Sequence, residues 1–120
     1  MIKRILVVED DPDIIEILDY LLIESGYQVA FSVKADGIWK MIEEYKPDLI
    51  LLDIVLPDGD GRDICKKLKE NLNTGGIPVI MVSGHDYIYD TIITVKANDI
   101  VTKPFKFETL LHRIERQLTA

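Results

Sequence analysis

Ile5-Leu6-Val7-Val8, Leu49-Ile50-Leu51-Leu52 and Val79-Ile80-Met81-Val82 are runs in which every position is apolar. A strand with one wet face alternates polar and apolar residues. An unbroken apolar run of this length predicts a strand covered on both faces, as in a parallel sheet. Gln28 to Phe31 and Ile100-Val101 carry weaker strand patterns and are expected nearer the sheet edges. Between the runs the spacing turns helical. Ile14, Ile15, Leu18, Leu21 and Leu22 share one face, and Ile38, Met41, Ile42 and Tyr45 share another. Ile64, Leu68 and Leu72 make a third stripe, Ile88, Ile92 and Val95 a fourth, and Phe107, Leu110, Leu111, Ile114 and Leu118 a fifth. Gly26, Lys46-Pro47, Pro57 to Gly61, Gly75-Gly76 with Pro78, Gly84 and Pro104 punctuate the series.

A strand followed by a helix, repeated five times, predicts an α/β domain. Its five-stranded parallel sheet is doubly wound by right-handed crossovers, with helices on both faces. Ligands of such sheets bind beyond the carboxyl ends of the strands. The residues that follow each apolar run therefore carry the functional weight. Glu9, Asp10 and Asp11 follow the first, Asp53 ends the third, Ser83 ends the fourth, and Thr102 and Lys103 follow the fifth. Carboxylates gathered at one sheet edge raise one another's pKa unless a cation neutralises them. Oxygen ligands alone select a hard cation, and Mg²⁺ takes one or two carboxylates along with water and phosphate oxygens. A lysine and a hydroxyl beside such an ion suit a phosphoryl group passing onto a carboxylate.

Composition narrows the classes. The chain of 120 residues fits one domain, and 48% hydrophobic with 29% charged residues is the balance of a soluble globular protein. Its net charge of −7 excludes direct nucleic-acid binding as the main activity, since phosphate contacts need clustered Lys and Arg. Cys65 is the only cysteine, so no intrachain disulfide forms, and its setting predicts a small core residue. Met1-Ile2-Lys3-Arg4 leads into a short apolar run unlike a signal peptide, and no run is long enough to span a membrane. A cytoplasmic protein is expected.

Val7-Val8-Glu9-Asp10-Asp11, Leu51-Leu52-Asp53 with Pro57 and Gly61, Met81-Val82-Ser83-Gly84 and Thr102-Lys103-Pro104-Phe105 together resemble the receiver domains of two-component response regulators, over nearly the whole chain. The resemblance implies a flavodoxin-like (βα)5 fold over residues 1–120. It implies that Asp53 accepts the phosphoryl group, with Mg²⁺ held by Asp10, by Glu9 through water, by Asp53 and by the backbone carbonyl of Val55. Ser83 is then the switch hydroxyl, Lys103 pairs with phosphoryl oxygens, and the Lys103-Pro104 peptide is cis. The donor is a sensor histidine kinase or a phosphotransfer protein, docking on the first helix and nearby loops, where Ile14, Ile15 and Leu18 are candidates for either core or surface. A homodimer would use the face of the fourth helix, fifth strand and last helix. No organic cofactor is implied.

The sequence departs from the family at Ile100, where receivers usually place a Tyr or Phe three residues before the lysine, and at Gly84, more often alanine. Val55, two residues after Asp53, offers no polar group to orient water, so a long-lived phosphoryl group is expected; His85 lies where it could reach over the site. Plainer roles stand beside these. Asp11 and Asp13 suit helix capping, and Asp58-Gly59-Asp60-Gly61 reads as a solvated turn and helix start. Trp39 reads as packing or a half-exposed ring, His112 as surface, Met41 and Met81 as core. A haloacid-dehalogenase-type phosphatase needs an acid where Val55 stands. A flavodoxin-like cofactor binder needs a Ser/Thr/Gly phosphate loop where three acids stand. A pseudo-receiver used only for docking is kept open by Ile100.

Overall fold

The computed structural model describes residues 1–84 and 95–119. Strands β1 (Arg4–Val8), β2 (Gln28–Ser32), β3 (Leu49–Asp53), β6 (Val79–Ser83) and β7 (Asp99–Thr102) form one sheet in the order β2-β1-β3-β6-β7. Every neighbouring pair is parallel. The two weak strand patterns are the two edge strands, as expected. Helices α1 (Pro12–Glu24), α2 (Ile38–Tyr45), α3 (Gly61–Glu70) and α4 (Phe107–Thr119) complete the described layers. A short hairpin of β4 (Val55–Leu56) and β5 (Gly59–Asp60) stands between β3 and α3. The sequence predicts a turn and helix start over Asp58 to Gly61, and α3 does start at Gly61 behind its Asp60 cap, but the strand pairing before it is not foreseen.

Alternate residues of each central strand feed opposite faces, which is why the runs are apolar throughout. Leu6, Val8, Ile50 and Leu52 pack with Ile38, Ile42, Ile64 and Leu68 on the α2–α3 side. Ile5, Val7, Leu49 and Leu51 pack with Leu18, Leu22, Leu110 and Ile114 on the α1–α4 side. Chain connections change face between β1 and β3, the switch point at which a doubly wound sheet opens a crevice.

Several details depart from the periodicity. Leu72 is fully exposed rather than the end of the third stripe, because α3 stops at Glu70 and Asn71 takes an extended cap conformation. On α1 only Leu18 and Leu22 are buried, while Ile17, Tyr20 and Ile23 face outward. The hydroxyl of Tyr45 is enclosed and has no hydrogen-bond partner among the described residues. Asp11 caps α1, accepting the Asp13 N–H at 2.9 Å. Cys65 and Met81 are core, Met41 packs against the core, Trp39 is half exposed and His112 exposed, as read from the sequence. Ile88, Ile92 and His85 lie outside the described residues. No helix among the described residues is long and apolar enough to cross a membrane.

Candidate functional site

Five local choices build the site at the carboxyl edge of the sheet. β1 runs directly into Glu9, whose N–H donates to Ser32 O at 3.0 Å, so the first acid is fixed at the strand end and is only 4% exposed. Its Oε2 accepts the N–H groups of Asp10 and Asp11 at 3.0 and 3.2 Å. Its Oε1 faces Lys103 Nζ at 2.7 Å. Asp53 ends β3 beside it, 6% exposed, with Oδ1 accepting the Val55 N–H at 3.2 Å and Oδ2 accepting Lys103 Nζ at 2.8 Å. Lys103 is brought there by β7, which pairs Thr102 with Ser83, and by its own N–H, which donates to Ser83 O at 2.7 Å.

One ammonium thus bridges two buried carboxylates. Burial pushes the Glu9 carboxyl above its ordinary value. The Lys103 ammonium and the Asp11 N–H pull it down, and the Asp53 charge raises it again. Burial disfavours the Lys103 charge, yet its hydrogen bonds to Asp53 and Glu9 outweigh that and raise its pKa. The lysine is therefore held firmly charged.

Carboxylate oxygens of Glu9, Asp10 and Asp53 lie within 4.8 Å of one another, and Asp10 is exposed. Among the described residues, three carboxylates face one ammonium in a pocket of oxygen donors. That donor set and charge fit a hard divalent cation such as Mg²⁺. Val55, whose N–H meets Asp53 Oδ1, is 59% exposed. Ser83 is buried at 1% exposure, Gly84 is exposed, and Ile100 is half-buried against the α2–α3 core. The Lys103–Pro104 peptide is cis. Ile14, Ile17, Leu18, Pro104, Phe105 and Phe107 line a groove of about 420 Å³ that opens beside Lys103.

Sequence reading missed two members of this neighbourhood. Gly61 stands against the backbone of Asp53: a Cβ there would overlap the Asp53 carbonyl oxygen, and its N–H donates to Ile54 O at 2.7 Å. Pro57 and Gly61 were noted as spacing, without this contact. Asp58, taken for a turn residue, accepts N–H groups of Ala35 and Asp36, a partnership across 23 and 22 positions that no local pattern reveals.

The chain matches the family described as response regulator receiver domain over residues 5–115. It is similar to the signal receiver domain of a signal transduction histidine kinase from Syntrophus aciditrophicus, at 32% identity over 98% of this chain and 90% of that one, with a TM-score of 0.89. A CheY-like receiver domain protein from Methanospirillum hungatei JF-1 matches at 30% identity, 99% and 95% coverage and a TM-score of 0.90. The BeF3-activated N-terminal receiver domain of RstA from Klebsiella pneumoniae matches at 28% identity, 98% and 100% coverage and a TM-score of 0.87.

Proposed function

From the premise that the chain belongs to the response regulator receiver domain family, we propose that Asp53 takes a phosphoryl group from a phosphohistidine in a Mg²⁺-dependent reaction. The observation that carries this reading is the single Lys103 ammonium 2.8 Å from Asp53 Oδ2, beside three carboxylates whose oxygens lie within 4.8 Å of one another.

The roles follow from the chemistry of each group. An Asp53 carboxylate oxygen attacks the phosphorus, the phosphorus–nitrogen bond of the donor breaks, and the imidazole leaves with the electron pair and takes a proton. Asp10, Asp53 and the Val55 carbonyl would hold the ion, with Glu9 reaching it through water. The chemistry Mg²⁺ supplies when bound is positive charge against the phosphoryl oxygens. Lys103 offsets charge on those oxygens without reorganisation, since it is already charged and placed. The Ser83 hydroxyl donates to one of them. The product adds about −1.5 to −2 charges at the sheet edge, and the rearrangement of Ser83 and Lys103 around it alters the partner-binding face.

The phosphodonor is a histidine kinase or phosphotransfer protein. It docks on α1, where Ile17, Tyr20 and Ile23 are exposed and the apolar groove runs up to Lys103. A homodimer would use β7 and α4, where Asp99 pairs with Arg113 at 2.6 Å; the fourth helical segment expected there lies outside the described residues. The protein is a cytoplasmic signalling switch whose only catalysis acts on its own Asp53, and residues 1–120 form one receiver domain.

Intact mass after incubation with acetyl phosphate and Mg²⁺ tests the reading. One phosphate on the wild type, lost with a chelator and in Asp53→Asn, is the expected result. A wild type that takes no phosphate and fails to bind beryllofluoride leaves a docking module.

A further inference from the structure

The segment after β3 is a two-residue hairpin: Val55 pairs with Asp60 and Leu56 with Gly59, which places Pro57 and Asp58 at the turn. Its base is secured locally. The Val55 N–H donates to Asp53 Oδ1, and Leu56 is buried at 6% exposure. Asp60 caps α3 and its Oδ2 pairs with Arg62 at 2.6 Å.

The tip is secured at a distance. Asp58 Oδ1 accepts the Ala35 N–H at 2.6 Å, and Oδ2 accepts the Asp36 N–H at 2.9 Å. Both donors belong to the loop between β2 and α2, and a Cβ on Gly59 would come within 3.9 Å of the Ala35 Cβ. Ala35 in turn packs against the α2–α3 core. The hydrogen bond from Ala35, then that from Asp36, holds the Asp58 carboxyl below its ordinary value although the side chain is in water. An exposed carboxylate that gives each oxygen to the backbone of another loop acts as a clamp between the two loops.

That clamp bears on the site through Val55. A side-chain ligand can adjust by changing rotamer, whereas a backbone carbonyl goes only where its hairpin goes. If the hairpin drifts, an ion must order it on binding, and apparent affinity falls with the fraction of chains already in place.

We propose that Asp58 is a positioning residue for the divalent-cation site: by clamping the hairpin tip to the Ala35–Asp36 backbone it fixes the Val55 carbonyl before the ion arrives. This rests on the reading of the site given above. The clamp acts on cation affinity and leaves the phosphoryl transfer step alone.

The test is calorimetric titration of metal-free protein with Mg²⁺ in the absence of any phosphodonor, for wild type, Asp58→Ala and Asp58→Asn. It is joined to phosphate uptake from acetyl phosphate across a Mg²⁺ series. Asparagine keeps one acceptor oxygen but turns its amide toward the second donor, so it should fall between the other two. The expected result is a Mg²⁺ Kd raised at least threefold in Asp58→Ala, with uptake returning to within twofold of wild type at saturating Mg²⁺. Faster amide hydrogen exchange at Ala35 and Asp36 should accompany it. If Asp58→Ala does not fold, Asp58→Asn carries the comparison with the same readouts. Unchanged Kd, or uptake that saturating Mg²⁺ does not restore, overturns the inference while the phosphoacceptor reading stands. A wild type that neither binds Mg²⁺ nor takes phosphate overturns both.

Discussion

Lys103 and Asp53, fifty residues apart in sequence, meet with Nζ 2.8 Å from Oδ2. The same ammonium is 2.7 Å from Glu9. Removing it leaves two buried carboxylates facing each other without a cation. Lys103→Met keeps the aliphatic stem and deletes the charge. Phosphate uptake is expected to fall about a hundredfold or more, the scale of losing one preorganised electrostatic contact. Urea denaturation in chelator should show a loss of about 1–3 kcal/mol, the cost of a buried group left without its partner, and Mg²⁺ should recover more stability in the variant than in wild type. Wild-type uptake in Lys103→Met would remove the lysine from the mechanism.

The pH dependence of the metal-free protein follows from Glu9. Burial raises its folded pKa above 4.5. A raised folded value means that the folded state binds the proton more tightly than the unfolded chain does. The contribution is fully present below pH 4.5 and is lost as pH rises through the raised value. Glu9→Gln, which stays neutral, should abolish that loss. Denaturant titrations in chelator from pH 4.5 upward should therefore show wild type falling relative to Glu9→Gln over this window. Parallel curves for the two proteins would contradict the assignment. Lys103 acts at the other end: its pKa is raised above 10.5, so its contribution persists below that pH and disappears as pH climbs through the raised value.

Gly61 is tied to Asp53 by space alone. A methyl group there would overlap the Asp53 carbonyl oxygen, and backbone cannot swing aside as a flexible side chain does. Gly61→Ala should cost about 1–3 kcal/mol, as overpacking does, and should slow phosphate uptake because the shift is transmitted to Asp53. Crystal structures of the variant and wild type would register the displacement, and superimposable Asp53 backbones would refute it.

Leu68 and Leu72 separate what the sequence reveals from what it hides. Both fit the helical stripe, but Leu68 is fully buried and Leu72 fully exposed. Leu68→Ala should cost about 2–5 kcal/mol, and Leu72→Ala should stay within about 0.5 kcal/mol, measured by denaturant unfolding. Runs such as Leu49 to Leu52 announced a sheet covered on both faces because a strand's period of two needs no partner to be visible. The acids, Ser83 and Lys103 could be placed at one edge because strand ends are legible and parallel topology gathers them. Helix ends are less so: Asn71 stops α3 by adopting an extended backbone, which its residue type does not dictate. Contacts that join distant segments through the main chain, as Asp58 does with Ala35, leave no trace in periodicity or composition.

Val55 sets the expected lifetime of the phosphoryl group. It stands two residues after Asp53 and is 59% exposed. Its N–H is engaged by Asp53 Oδ1. Hydrolysis of an aspartyl phosphate needs a water aligned with the phosphorus–oxygen bond. A valine side chain offers that water neither a donor nor an acceptor. An asparagine at the same place can hydrogen-bond the water and hold it. Val55→Asn should therefore shorten the lifetime of phosphorylated Asp53 about tenfold, less than a full acid–base group would supply because the amide only orients. The decay of the phosphorylated mass after donor removal measures this directly. Slower decay in Val55→Asn than in wild type would mean that the valine does not prolong the lifetime of the phosphoryl group.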